Sequence, residues 1–124
     1  MATASQDVGD ETLTGSALCR LDDIADGEGK AFTLPRKPVP LEVFVVRRGA
    51  RAFGYVNSCP HAWAPLDWSP DHFTNMDKTH ILCGIHGAVF DIESGRCISG
   101  PCKGDSLTAF PVTVIDGIVH VRAE

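Results

Sequence analysis

No run of apolar residues in this 124-residue chain approaches the roughly 18 that a membrane-crossing helix needs. Nor does the opening stretch MATASQDVGDETLTGS join a basic segment to an apolar one, so no secretory signal is expected and a cytoplasmic location is. Basic residues are scarce: 11 Lys and Arg face 16 Asp and Glu, a net charge of −5. They form no stripe, which argues against nucleic-acid binding. Helical periodicity is nearly missing as well, and only residues 24–25 and 70–76 could support a helical turn. There is no internal repeat and no sign of a second domain. The cysteines number five, an odd count for a disulfide framework, and in a reducing compartment metal binding is the better expectation.

The acidity that is present is local. Residues 1–30 carry seven acids against Arg20 and Lys30, while the remaining 94 residues balance nine acids with nine bases. Residues 1–16 read as a flexible lead-in, although an acidic face for a basic partner is the alternative. From 17 to 124 the chain reads as one domain, long enough to bury a core without disulfides. Short β-rich segments recur at 17–21, 31–34, 41–47, 52–56, 80–82, 88–92, 107–114 and 118–122. Turn signals divide them, at ADGEG, RRGA, ESG and most clearly at Asp116-Gly117, a pair suited to a two-residue hairpin turn. The fold class is therefore all-β, a small antiparallel sandwich or barrel.

Chemistry gathers in two stretches. NSCPHAWAPLDW holds Cys59-x-His61, and after 21 intervening residues HILCGIHGAVFD holds Cys83-x-x-His86. Two thiols and two imidazoles make a complete set for a tetrahedral metal or a small iron–sulfur cluster. Pro60, Gly84 and Gly87 suit tight turns from which both members of a pair can reach one centre. A zinc-stabilised binding module would use the same four ligands. A cysteine nucleophile with a histidine base is a further alternative, but it would need an orienting partner and a pocket, and two such pairs would be redundant.

The run CPHAWAPL, followed by CGIHGAVFDIESGRC and SGPC, resembles the Rieske [2Fe-2S] family in its soluble ferredoxin branch. The resemblance extends from about Leu18 to Val121 and includes CRLDDIADGEGKAFTL and the closing FPVTVIDGIVHV. It implies a cluster-binding part at about residues 57–103, built on two loops, and one [2Fe-2S] cluster per chain. Cys59 and Cys83 would hold one iron and His61 and His86 the other, with Gly100-Pro101 in a third, covering loop. The 21-residue interval is longer than the family's ferredoxins usually show; an insertion in WSPDHFTNMDK would alter the docking surface rather than the cluster.

The implied function is one-electron carriage from a reductase to an oxygenase or another acceptor, with no catalysis by the chain alone. A small subunit of a larger oxidoreductase of the nitrite-reductase kind is the neighbouring reading; an oxygenase would need a catalytic domain for which 124 residues leave no room. No nucleic acid or membrane is expected as a partner. Pro60, Trp63 and Pro101 would form the docking patch, around the exposed edges of His61 and His86. Two ferric irons, two sulfides and two thiolates sum to zero, so an electron is added more easily than to a four-thiolate cluster. High-potential relatives join their two loops by a disulfide and place hydroxyl donors near the cluster. Here the corresponding positions are Ala64 and Ile85, and Gly87 and Ala88 follow His86, so the potential is expected near the low end of the Rieske range, about −150 mV. Reduction should also favour protonation of the outer ring nitrogens of His61 and His86, making the midpoint fall with pH.

The other candidates read as structural. Cys97 is a strand residue and Cys102 a small loop filler; a disulfide between them is geometrically open but disfavoured in a reducing compartment. Cys19 packs as a small hydrophobe, and His72, His80 and His120 have no partner at ligand spacing. Trp63 and Trp68 read as shielding or core aromatics, one of them a possible anchor for a partner.

Overall fold

Val43, Phe44, Val45 and Val46 form a continuous apolar run, and all four side chains are fully buried. Alternation along a strand sends neighbours to opposite faces, so such a run requires cover on both sides. The computed structural model, which describes residues 15–35, 37–58, 66–67, 72–83 and 87–122, supplies that cover with three antiparallel sheets. The central sheet joins β2 (Gly29–Leu34), β3 (Leu41–Arg48) and β4 (Arg51–Val56) in that order. On one side lies the sheet of β1 (Ala17–Arg20), β8 (Val112–Ile115) and β9 (Ile118–Val121), in the order β1-β9-β8. On the other lie β5 (His80–Leu82), β6 (Val89–Asp91) and β7 (Cys97–Ser99).

The core divides accordingly. Val43 and Val45 pack with Leu34, Leu41, Val112, Val119 and Val121. Phe44 and Val46 point the other way, to Phe73, Ile81, Phe90 and Ile92. Phe44 stacks on Phe73, with ring centroids 4.3 Å apart and planes 6° from parallel. Tyr55 joins this second cluster and donates its hydroxyl to the Ile92 carbonyl at 2.6 Å, tying β4 to the end of the third sheet. Burial pushes that phenol up to about 12, helped by the negative charges of Asp91 and Glu93.

The all-β expectation holds, and most strand positions with it. The hairpin at Asp116-Gly117 has positive φ at both residues, 52° and 76°, the two-residue turn that this dipeptide favours. Four details differ from the sequence reading. The segment 107–114 is not one strand: Tyr55 bridges Ala109, Phe110 N–H donates to the Gly54 carbonyl at 2.9 Å, and β8 starts only at Val112. Pro111 has no N–H to give, so the chain leaves the central sheet there and joins the outer one. Residues 97–99 form a strand that was expected only at Cys97, since Ile98 and Ser99 are both exposed and burial does not alternate. The helical turn lies at Leu21–Asp23 rather than 24–25, a 3-10 turn begun by Arg20 N–H donating to Asp23 Oδ2 at 3.0 Å. Phe73 and Thr74, placed in the other candidate turn, are not helical: Thr74 bridges Ile81 and Phe73 is buried. Among the described residues no helix is long and apolar enough to cross a membrane.

Candidate functional site

The third sheet and the loops around it carry the candidate chemistry. β5 and β6 pair from His80↔Asp91 to Leu82↔Val89, and one further pair closes the turn between them. Cys83 N–H donates to the Ala88 carbonyl at 2.8 Å, and Gly87 N–H donates to the Cys83 carbonyl at 2.8 Å. Cys83 therefore stands at the mouth of a short turn whose far side is Gly87, with φ of 74°. Its side chain is 1% exposed and packs in the cluster containing Leu66, Ala88, Phe90 and Cys102. A thiol there is shielded from water by apolar neighbours on a fixed strand end.

A third segment closes over this turn. Gly100 has φ of 100°, and a Cβ placed on it would sit 2.7 Å from Ala88 Cα and 3.2 Å from the Gly87 carbonyl oxygen. The backbone at Gly100 thus lies directly on the backbone at Ala88, a contact only glycine permits. Pro101 beside it is exposed.

The two ends of the 59–65 segment are tied together by Asn57. Its Oδ1 accepts from Leu66 N–H at 2.9 Å and its Nδ2 donates to Asp67 Oδ1 at 3.2 Å. Asn57 is held in turn by its N–H donating to the Glu42 carbonyl at 2.8 Å. Leu66 is fully buried in the same cluster as Cys83. The exit from the first candidate segment and the start of the second are therefore anchored in one apolar core.

Of the four expected ligands, Cys83 is described as above; Cys59, His61 and His86 lie outside the described residues, as do Pro60, Trp63, Ala64, Trp68 and Ile85. Gly87 and Ala88, which follow the second pair in sequence, carry no hydroxyl. Among the described residues no three metal-ligating side chains converge. Asn57 was missed by the sequence reading, although an asparagine two residues before Cys59 is a turn signal, since its side chain can bond nearby backbone. Cys97 and Cys102 are both buried, as expected of a strand residue and a loop filler. Cys19 is half-buried in β1, and burial foremost, with Asp23, raises its thiol pKa. His80 begins β5 and shares a 2.9 Å contact with Thr79 Oγ1, and His120 lies in β9 at 3.2 Å from the Gly15 carbonyl.

Asp91, where β6 ends, accepts from Ser94; that hydroxyl and backbone bonding holds its carboxylate below the usual range. Glu93 faces Arg51 at 3.4 Å and Arg48 at 4.0 Å, on the side away from the Cys83 turn. The described walls of the turn itself are apolar or backbone.

Comparison with known proteins bears on the same region. The family model of the Rieske [2Fe-2S] domain matches residues 15–113. No curated protein matches the chain. Among solved structures it is similar to the ferredoxin of carbazole 1,9a-dioxygenase from Nocardioides aromaticivorans IC177, at 27% identity and TM-score 0.69, over 90% of this chain and 99% of that one. A ferredoxin of Sphingomonas yanoikuyae B1 matches at 26% identity and TM-score 0.65, over 90% of this chain and all (100%) of its own. The terminal oxygenase of the Nocardioides system shares the fold alone, at 19% identity and TM-score 0.70, with 30% of its length covered.

Proposed function

This chain belongs to the Rieske [2Fe-2S] domain family, and from that premise we propose that it is a one-electron carrier serving an oxygenase. One observation carries the reading: a buried Cys83 at the mouth of a hydrogen-bonded turn, with Gly100 laid on the backbone of that turn and Leu66 in the same core. The donor set suits the family's cluster, because thiolates and imidazoles are the ligands of a [2Fe-2S] centre of this type. Cys59 and Cys83 would bind one iron through sulfur, and His61 and His86 the other through nitrogen. When bound, the cluster supplies a site that accepts and releases one electron.

The chain's own part is to hold the site still and dry. Asn57 bonds Leu66 N–H and the Asp67 carboxylate, which fixes where the 59–65 segment leaves and rejoins the fold. Leu66, Ala88 and Phe90 exclude water from the Cys83 side and lower the local polarity. Gly100 and exposed Pro101 bring a thin, uncharged piece of backbone to the rim, where a partner could approach closely. A complex of an oxygenase with a ferredoxin is among the similar structures, matched at 26% identity, which supports an oxygenase as the acceptor; the donor in this reading is a reductase. The same reading takes residues 17–124 as one domain, with 57–103 as its cluster-binding part, and a cytoplasmic setting.

The test is direct. Anaerobically purified protein should contain about two iron and two labile sulfide per chain, absorb in the visible and become paramagnetic on one-electron reduction. It should then discharge that electron to a Rieske-type oxygenase. Colourless protein holding zinc after iron and sulfide reconstitution would overturn the proposal.

A further inference from the structure

Cys97 and Cys102 have no part in the ligand set above, yet the fold brings their sulfurs together. Cys97 opens β7 and Cys102 lies in the turn that follows it. Cys102 Sγ donates to Cys97 Sγ at 3.1 Å, and Cys97 Sγ donates to the Ser99 carbonyl at 3.2 Å. The backbone fixes this approach. Cys97 N–H donates to the Asp105 carbonyl at 2.8 Å, and Asp105 N–H donates to the Cys102 carbonyl at 2.9 Å. Gly100 and Gly104, both at φ of 100°, let the chain reverse within so few residues. Closing the sulfur gap to a bond of about 2.05 Å takes roughly 1 Å of movement, within reach of small side-chain rotations.

We propose that Cys97 and Cys102 are a redox-active dithiol, closed to a disulfide by a small peroxide. The two side chains are 1% and 3% exposed, which favours an oxidant of nearly water size over a bulky one such as glutathione disulfide. One sulfur attacks the peroxide; an S–O bond forms, the O–O bond breaks, and hydroxide leaves with the thiol proton as water. The second sulfur attacks the resulting sulfenic acid; the S–S bond forms, the S–O bond breaks, and a second water leaves with the remaining thiol proton. Two electrons pass from the two thiols to hydrogen peroxide, which becomes two waters. With the second sulfur already at 3.1 Å, the sulfenic acid is captured before it can oxidise further. The staple would sit on the same turn that carries Gly100 onto Ala88, beside the candidate site but using none of its ligands.

The test uses the purified holoprotein, treated with about one equivalent of hydrogen peroxide, then denatured with N-ethylmaleimide and digested with trypsin. Cleavage after Arg96 and Lys103 releases CISGPCK, which holds both cysteines in one peptide. The expected product is that peptide, unlabelled and about 2 Da lighter, regaining both labels after dithiothreitol. In Cys102→Ser the lighter peptide should vanish and oxygen should be added at Cys97 instead. The inference is overturned if the wild-type peptide keeps both labels while Cys19 is oxidised, or if either sulfur goes to a sulfinic or sulfonic acid. It is overturned equally if Cys97 or Cys102 is found joined to a different cysteine. Visible absorbance recorded before treatment separates the two readings. A colourless protein that still closes the bond counts against electron carriage alone, whereas a coloured one that keeps two thiols counts against the dithiol alone.

Discussion

Gly100→Ala is the substitution that probes the architecture of the site most sharply, because the same loop contains its own control. Gly100 and Gly104 share a φ of 100°, but the surroundings of their missing Cβ atoms differ. At Gly104 nothing lies within 4 Å, so Gly104→Ala reports only the backbone cost of an L-residue at positive φ, about 1–2 kcal/mol. At Gly100 the new methyl would meet Ala88 Cα at 2.7 Å and Ala88 N at 3.2 Å, backbone atoms that cannot swing aside. Relieving that overlap by shifting the turn adds about 1–3 kcal/mol. Gly100→Ala should therefore cost about 2–5 kcal/mol in total, roughly twice Gly104→Ala. Urea unfolding of the cluster-loaded proteins, followed by far-UV circular dichroism, gives the two midpoints. Bleaching of the visible absorbance in the presence of an iron chelator gives the consequence for the site, which should accelerate for Gly100→Ala and hardly change for Gly104→Ala. Equal effects of the two substitutions on midpoint and bleaching would refute the close packing of residue 100 on residue 88.

The remaining expectations are simpler. Tyr55→Phe removes the 2.6 Å bond to the Ile92 carbonyl and should cost about 1–2 kcal/mol in urea melts at pH 7. The Tyr55 pKa is raised in the fold, from 10 to about 12, so its contribution is fully present below pH 10 and is lost as pH rises toward 12. Melts between pH 9 and pH 11.5 should therefore show a decline in the wild type that Tyr55→Phe lacks; parallel curves would count against the buried phenol. Asn57→Ala leaves Leu66 N–H without its side-chain acceptor and should destabilise by about 1–2 kcal/mol while hastening chelator bleaching. Unchanged bleaching would separate Asn57 from the site. The midpoint potential should lie near the low end of the Rieske range, about −150 mV, since Gly87 and Ala88 offer no hydroxyl; a value above roughly +100 mV from potentiometry would contradict that argument.

Much of this was legible in residue types. Asp116-Gly117 read as a hairpin because few dipeptides accept two positive φ angles, and the turn forms with both. The proposed donors Cys59, His61, Cys83 and His86 stand out by residue type and short spacing, which is a property of local sequence. Less legible was the path of 107–114, where a β-rich run conceals a change of sheet at Pro111. Strand propensity records that a segment is extended, not which neighbour it pairs with. β7 was legible only at Cys97: Ile98 and Ser99 are both exposed, so burial does not alternate there, and pairing with β6 is what makes the segment a strand.

By itself the sequence determined the all-β class, the Asp116-Gly117 hairpin turn and the family, because each depends on residue identity at short range. Only the tertiary structure decided that Asn57 clamps Leu66, that Gly100 rests on Ala88 and that Cys97 and Cys102 meet. It also decided that β3 is covered on both faces, with Val43 and Val45 in one core and Phe44 and Val46 in the other. Those are contacts between backbones and side chains brought together by sheet packing. Their physical origin is close approach in three dimensions, which no spacing along the chain encodes.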